Sequence, residues 1–184
     1  MNAQITNGTL LIAEPFITDE HFFRRLIVII DHNQDGTLGI VVNEVSPYFV
    51  RIENEDKSTS LELPLCLGGP VDQKESINIL HKNPEIEGSV SVGCGFYWGG
   101  DTYEILTHYK NGLLNKDQTF AISGYCGWAP GQLQKELTAQ TWITSKFKPE
   151  YLSKHSDDAW KQALTDLGGT YEWLSHAPYD ASLN

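Results

Sequence analysis

Leu26-Ile27-Val28-Ile29-Ile30 and Leu38-Gly39-Ile40-Val41-Val42 flank the segment Asn33-Gln34-Asp35-Gly36. Both runs are short and rich in β-branched residues, which pack well on a pleated surface. The first run has no polar position, so its strand is expected to be buried on both faces. The segment between them ends in Asp-Gly, a pair that accepts the positive φ angles of a tight hairpin turn. The unit reads as an antiparallel hairpin.

Working outward, Leu10-Leu11-Ile12-Ala13 reads as a buried strand ended by Pro15, and Thr18 to Phe23 as a polar and aromatic turn. Residues 51–62 are polar and mostly acidic and are expected to form a mobile loop. Further strands are expected at Leu65–Leu67, ending in Gly68-Gly69-Pro70, at Ile77–His81, along the alternating stretch Val90–Trp98, at Phe120–Ile122 and at Trp142-Ile143. Asp101 is placed to cap a helix running to about Lys110 and stopped by Gly112. Gln132 to about Ala139 reads as a second helix. A third opens at Ser156 as N-cap, with Asp157 and Asp158 in its first turn, where the helix dipole favours negative charge. Trp160, Ala163, Leu164 and Leu167 give it one apolar stripe, and Gly168 is placed to cap its C-terminus. Tyr171, Trp173 and Leu174 make a short final helix before Pro178. Strands in hairpin order followed by helices in the C-terminal half predict an α+β fold with a mostly antiparallel, barrel-like sheet.

The chain has 184 residues, a length that suits one domain. A chain of this size buries about 70% of its unfolded surface and needs no disulfide or metal staple. The formal net charge is −11, with 13 Lys and Arg in total. Binding to a nucleic-acid backbone works by neutralising phosphates with such residues, so direct DNA binding is disfavoured. Cys66, Cys94 and Cys126 are widely spaced, with no C-x-x-C or C-x-x-H pair, so the sequence supports no zinc site and favours a reducing compartment. No Lys or Arg precedes Arg24, and the apolar runs are too short for a signal peptide or a membrane span. These features predict a cytoplasmic protein.

The segment Gly124-Tyr125-Cys126-Gly127-Trp128-Ala129-Pro130-Gly131-Gln132-Leu133 sets three glycines and a proline around two aromatics and opens into a helix. Together with other blocks it resembles the YqgE/AlgH family of bacterial proteins. Gly8, Leu10–Ala13, Pro15, Asp19, Phe22 and Arg24 carry the first part of the likeness, and His32-Asn33, Gly36, Gly39 and Asn43 the second. Gly68-Gly69-Pro70-Val71 and Leu80-His81 follow, and the strongest block adds Glu136 and Trp142 to the glycine-aromatic segment. Arg25, Asp31, Cys126 and Gln134 depart from the usual pattern. The resemblance implies a compact α+β fold over residues 1–184, with a barrel-like sheet and a small inserted subdomain, expected somewhere within 47–115. It implies no established enzymatic activity. Some members carry the label of transcriptional regulator, which is an association and not a mechanism.

Each candidate residue has a structural and a functional reading. Cys126 lies near a helix start, which can lower a thiol pKa, but the segment is not a nucleophile elbow, and a small buried thiol fits it better. Asn33 suits the turn, and His32 suits the strand end; with His81 and Asn43 they are also the residues an unrecognised active site would use, together with Cys126. Arg24 either grips an anion or pairs internally with Asp19 or Asp31. Gly124, Tyr125, Gly127, Trp128, Gly131, Gln132 and Glu136 are either a surface for a protein partner or small ligand, or the packing of a tryptophan, a tyrosine and a helix onto the sheet. No residue set forms a catalytic, cofactor or metal site by spacing. The expected function is therefore regulatory, acting indirectly through a protein partner or small ligand.

Overall fold

The computed structural model describes residues 4–73, 76–152 and 156–178. Its strands are β1 (Thr9–Ala13), β2 (Leu26–Asn33), β3 (Gly36–Val41), β4 (Val45–Glu53), β5 (Ser60–Leu67), β6 (Ile77–His81), β7 (Ser89–Gly93), β8 (Phe96–Gly99), β9 (Phe120–Ser123), β10 (Cys126–Trp128) and β11 (Trp142–Lys146). The helices are α1 (Thr102–Lys110), α2 (Gln132–Thr138), α3 (Ser156–Leu167) and α4 (Gly169–Leu174). All four helices lie in the second half of the chain, and the α+β expectation holds.

The expected hairpin is β2–β3, closed by the Asn33↔Gly36 pair, with the Asn33 side chain accepting the Asp35 N–H at 2.7 Å. It sits inside a five-stranded antiparallel sheet of order β10-β3-β2-β1-β11. The other six strands form a second sheet, β4-β5-β9-β6-β8-β7, in which β5 and β9 run parallel. The strands therefore form two open sheets and do not close into a barrel. Each sheet ends in edge strands, β10 and β11 in the first and β4 and β7 in the second, that do not pair with each other.

Alternation along each strand assigns the layers, because successive side chains point to opposite faces. Leu10, Ile12, Val28 and Ile40 of the first sheet pack with Cys66, Leu80, Trp98 and Ile122 of the second and with Trp160 and Leu164 of α3. Leu11, Ala13, Ile27 and Val41 face the other way, onto Leu133 of α2 and onto Trp128 and Trp142. Leu61, Leu63, Ile79 and Ala121 form the far face of the second sheet, covered by Ile105 and Leu106 of α1. The Asp101 cap is observed, its carboxylate accepting the Glu104 N–H at 2.9 Å.

Residues 51–62 are not a loop. They are the ends of β4 and β5 and the turn between them, in register from Phe49↔Pro64 to Glu53↔Ser60. Charge misleads here because β4 is an edge strand: Val50 and Ile52 pack against the α1-side core while Arg51 is exposed. The stretch read as one strand over 90–98 is a hairpin, β7–β8, turned by Gly93, Cys94 and Gly95, all with positive φ. Among the described residues no helix is long and apolar enough to cross a membrane.

Candidate functional site

The glycine-aromatic segment lies where the chain passes from one sheet to the other. β9 belongs to the second sheet and β10 to the first, and Gly124 and Tyr125 are the residues between them. Opposite them runs Gly68-Gly69-Pro70-Val71, which leaves β5. Val71 and Tyr125 exchange main-chain hydrogen bonds of 3.1 and 3.0 Å, Gly68 N–H donates to Ser123 at 2.7 Å, and Val41 N–H donates to Gly68 at 2.8 Å. The ends of β3, β5 and β9 thus meet main chain to main chain. A Cβ on Gly124 would lie 2.6 Å from the Gly69 oxygen and 2.8 Å from the Val71 oxygen. Such contact demands glycine for steric reasons alone.

The aromatic residues of the segment turn inward. Trp128 and Trp142 are buried, with their rings edge to face at 6.3 Å, and Phe22 meets Trp142 in the same way at 5.6 Å. Both indole N–H groups donate to one oxygen of Glu136, at 2.8 Å from Trp128 and 2.7 Å from Trp142. The other oxygen accepts from Gln132 at 2.9 Å, and the Gln132 carbonyl accepts the Ala129 N–H at 3.0 Å. Buried indole N–H groups require such partners. Glu136 therefore fastens α2 across β10 and β11. Gly131, at φ +72°, lets the chain enter α2. Tyr125 is half-buried, and the neighbouring Asp72 charge pushes its phenol pKa up.

Arg24 is an internal ion-pair residue, but its partner is Asp157 at the start of α3, not Asp19 or Asp31. Its guanidinium also donates to the Ala177 oxygen at 2.7 Å and lies 4.7 Å from the Trp160 ring centroid. Burial alone would raise the Asp157 carboxyl, but hydrogen bonds from Lys161 and Arg24 outweigh it and hold the group below its usual value. Asn43, fully buried, takes the Leu26 N–H at 2.9 Å and donates to the oxygens of Arg24 at 2.9 Å and Ser156 at 2.8 Å. Arg24 and Asn43 together hold the C-terminal helices against the first sheet.

The structure does not bring the two candidate histidines together. His32 is exposed on β2, its Nδ1 bonded to Thr37 Oγ1 at 2.7 Å, and Asn33 donates to Asp31 at 2.8 Å. His81 is fully buried at the end of β6 in the other sheet, stacked on Tyr97. Among the described residues no group of His, Cys, Asp and Glu could hold a metal ion.

The residues of the junction and the indole clamp are among those that carry the family likeness. The family model for AlgH-like proteins matches residues 10–172. The chain belongs to the AlgH-like family. A UPF0301 protein of Bacteroides thetaiotaomicron is 34% identical over 184 residues, covering 100% of this chain and 93% of that one. A second, from Cytophaga hutchinsonii, is 33% identical over 182 residues, covering 98% of this chain and 100% of its own. Among solved structures, the AlgH protein from Pseudomonas aeruginosa matches with a TM-score of 0.67 at 21% identity, over 97% of this chain and 100% of that one. A Corynebacterium diphtheriae protein matches with a TM-score of 0.73 at 21% identity, over 95% and 94%. At that identity the two structures support the fold of this AlgH-like chain alone.

Two surface features of this AlgH-like chain have no signal in the sequence reading. One is a groove of about 590 Å³ between the start of β1, the end of β11 and the β7–β8 turn, lined by Thr6, Asn7, Thr144, Ser145, Lys146 and Cys94. Its lining has hydroxyls, amides and one ammonium, but no carboxylate or imidazole to act as a base. The other is the exposed apolar surface of β4, where Val45, Tyr48 and Phe49 are 49%, 72% and 64% exposed. The acidic composition around it hid both the strand and its apolar residues.

The cysteines divide by burial. Desolvation pushes the Cys66 thiol up to about 11 and the Cys126 thiol up to about 12, while Cys94 is exposed. At pH 7.5 the thiolate fractions of Cys66 and Cys126 are then roughly 100-fold and 1000-fold below that of an ordinary thiol. Iodoacetamide on the native protein is expected to label Cys94 first and the other two only on unfolding, read by peptide mass spectrometry. Labelling of Cys126 as fast as Cys94 would restore it as a candidate nucleophile.

Proposed function

We propose that this chain is a non-enzymatic regulatory protein that acts through a protein partner docked on the exposed apolar surface of β4. The observation that carries the reading is the cluster Val45, Tyr48 and Phe49, three large apolar side chains exposed within five residues of one edge strand. Large apolar side chains left exposed, where they group, mark interaction sites. Pro47 lacks an N–H, and the β4–β5 register shifts between Val45 and Phe49. Both features disfavour simple strand addition at this end of the edge, so the surface suits side-chain docking. In sequence Glu44 precedes these residues, Glu53, Glu55 and Asp56 follow them against Arg51 and Lys57, and the whole chain carries −11. A partner presenting an apolar segment flanked by Lys and Arg complements that field, and a second copy of the chain does not. The same net charge opposes direct contact with DNA, so control of transcription would run through the partner. The enzyme reading has less support: His32 is exposed in one sheet, His81 is buried in the other, and Cys126 is a buried thiol with a raised pKa.

A photo-crosslinking amino acid placed at Tyr48 in producing cells tests this reading. It is expected to trap a discrete adduct that the same probe at Tyr103, equally exposed on α1, does not give. With the trapped protein purified, Phe49→Asp should weaken its binding at least ~10-fold, a loss of about 1.4 kcal/mol. Identical adducts from both positions, or binding untouched by Phe49→Asp, would remove β4 as the docking surface.

A further inference from the structure

The second sheet carries a buried polar cluster that neither the fold nor the docking surface uses. His81 Nδ1 accepts the main-chain N–H of Asn83 at 3.2 Å, and its Nε2 faces the Gly99 oxygen at 3.1 Å. A carbonyl can only accept, so Nε2 carries the proton and the ring is neutral. Asn83 Oδ1 accepts the Glu85 N–H at 2.8 Å, which fixes the amide so that Nδ2 is the atom facing His108 Nδ1 at 2.6 Å. His108 Nδ1 must therefore accept as well. Asn83, itself buried, is a donor to two neutral imidazoles at once, and its amide also reaches the Leu113 oxygen at 3.4 Å. His81 and Asn83 belong to β6 and the segment that follows it, Gly99 to the end of β8, and His108 to α1.

We propose that the His81–Asn83–His108 cluster is an acid-sensitive latch that holds α1 on the second sheet when both imidazoles are neutral and releases it when either takes a proton. Protonation at either Nδ1 sets an N–H against an N–H of Asn83, which has no lone pair to offer. Two cations on either side of one amide would also repel. The titratable groups on the surrounding elements are Tyr97 of β8, Lys82, Glu85 and Glu87 beside Asn83, Asp101 at the start of α1, and Tyr103, Glu104, Tyr109 and Lys110 of α1. Tyr97 stacks on His81, the Lys82 ammonium lies 4.9 Å from the Phe96 centroid, and Glu104 accepts the Glu87 N–H at 2.7 Å. Among the described residues no carboxylate bonds either imidazole, so the Gly99 carbonyl is the acceptor left to offset charge on His81.

Burial lowers the His81 pKa from its ordinary 6.5, outweighing the hydrogen bonds to Gly99 and Asn83, which raise it. A base with a depressed folded pKa binds more protons when unfolded, so its contribution to stability is full well above pH 6.5 and falls as the pH drops toward the folded pKa. Because α1 shares its core with Val50 and Ile52 of β4, release of the latch would also loosen the proposed docking strand. That last consequence rests on the docking reading, and the test below does not.

Long-range proton–nitrogen spectra of the imidazoles at pH 7.5 are expected to show both His81 and His108 with the proton on Nε2. Amide exchange of α1 and residues 82–88, corrected for intrinsic rate, should be faster at pH 5.5 than at 7.5, by up to ~10-fold for a single imidazole of ordinary pKa 6.5. His108→Gln, whose side-chain oxygen can accept from Asn83 without titrating, should reduce that acceleration at least ~2-fold, while the exposed control His32→Gln should leave it unchanged. A proton on Nδ1 of either ring, exchange independent of pH, or equal acceleration in His108→Gln and wild type would each overturn the latch. The tautomer measurement uses the wild-type protein and stands even if the variant does not fold.

Discussion

Gly69→Ala should leave the protein unable to fold, or destabilise it by at least ~4 kcal/mol. The new methyl group would overlap the main-chain carbonyl of Tyr125 and stand 2.6 Å from Cys126 Sγ. Neither can retreat. Tyr125 is bonded in both directions to Val71, and Cys126 begins β10 against Gly39. Gly69 also has φ +147°, a conformation an L-residue with a Cβ rarely adopts. Two other glycines of the same family blocks provide the scale. Gly131→Ala has open space around it but φ +72°, so about 1 kcal/mol is expected. Gly127→Ala meets its nearest atom at 3.7 Å with no left-handed φ, so its change should stay within ~0.5 kcal/mol. Urea unfolding of the three purified variants checks the order, with soluble yield standing in for a Gly69→Ala protein that cannot be purified. If Gly69→Ala fell within ~1 kcal/mol of Gly127→Ala, the sheet-to-sheet crossing would not be the tight main-chain junction described above.

That gradient explains why the family blocks can be read from the sequence while their purpose cannot. Glycine marks a close approach, but the residue approached lies elsewhere in the chain: Gly69 meets Tyr125 and Gly124 meets Val71. Spacing says nothing of such pairings. The same limit applies to Arg24. Its ion-pair role follows from burial and charge, but Asp157 is 133 residues away, so Asp19 and Asp31 were the natural local choices. Local pattern was enough for β1, for the β2–β3 hairpin and for α3, whose elements carry their own periodicity and caps. It was not enough for β4, because an edge strand with an exposed face loses the alternation that marks a half-buried one. It also missed β10, three residues set between glycine and proline, which is a strand only because the free edge of β3 is there to receive it.

The indole clamp shows how a segment shaped like a binding loop serves packing. Gln132 and Glu136 are one turn apart on α2, and their side chains face the indoles of Trp128 and Trp142. Both oxygens of Glu136 and both indole N–H groups are bonded within the protein. By contrast, Val45, Tyr48 and Phe49 of β4 are exposed, which is why we propose that the partner docks there. A docking site on the edge strand can change with little cost to the core, whereas the junction cannot.

Trp160→Ala should cost about 4 kcal/mol, a large share of the roughly 5–15 kcal/mol that holds a domain of this kind together. Trp160 is the largest fully buried side chain in the layer where the two sheets and α3 meet. Its removal opens a cavity there that the two hydrogen-bonded sheets cannot collapse to fill. Three further effects add to the lost volume. The Trp160 N–H donates to the Ala13 oxygen at 2.8 Å, so that bond is lost. The Arg24 guanidinium loses the ring it faces at 4.7 Å, while remaining buried beside Asp157. The α3 stripe keeps only Ala159, Ala163 and Leu164 as buried anchors. Trp160→Phe separates these contributions: it retains most of the volume and an aromatic face for Arg24 but drops the N–H, so about 1–2 kcal/mol is expected. For a chain of this length the alanine variant should melt roughly 12 °C lower and the phenylalanine variant roughly 4 °C lower, read by circular dichroism. Equal losses would mean that the hydrogen bond to Ala13, and not the packing of the ring, fixes α3 to the first sheet.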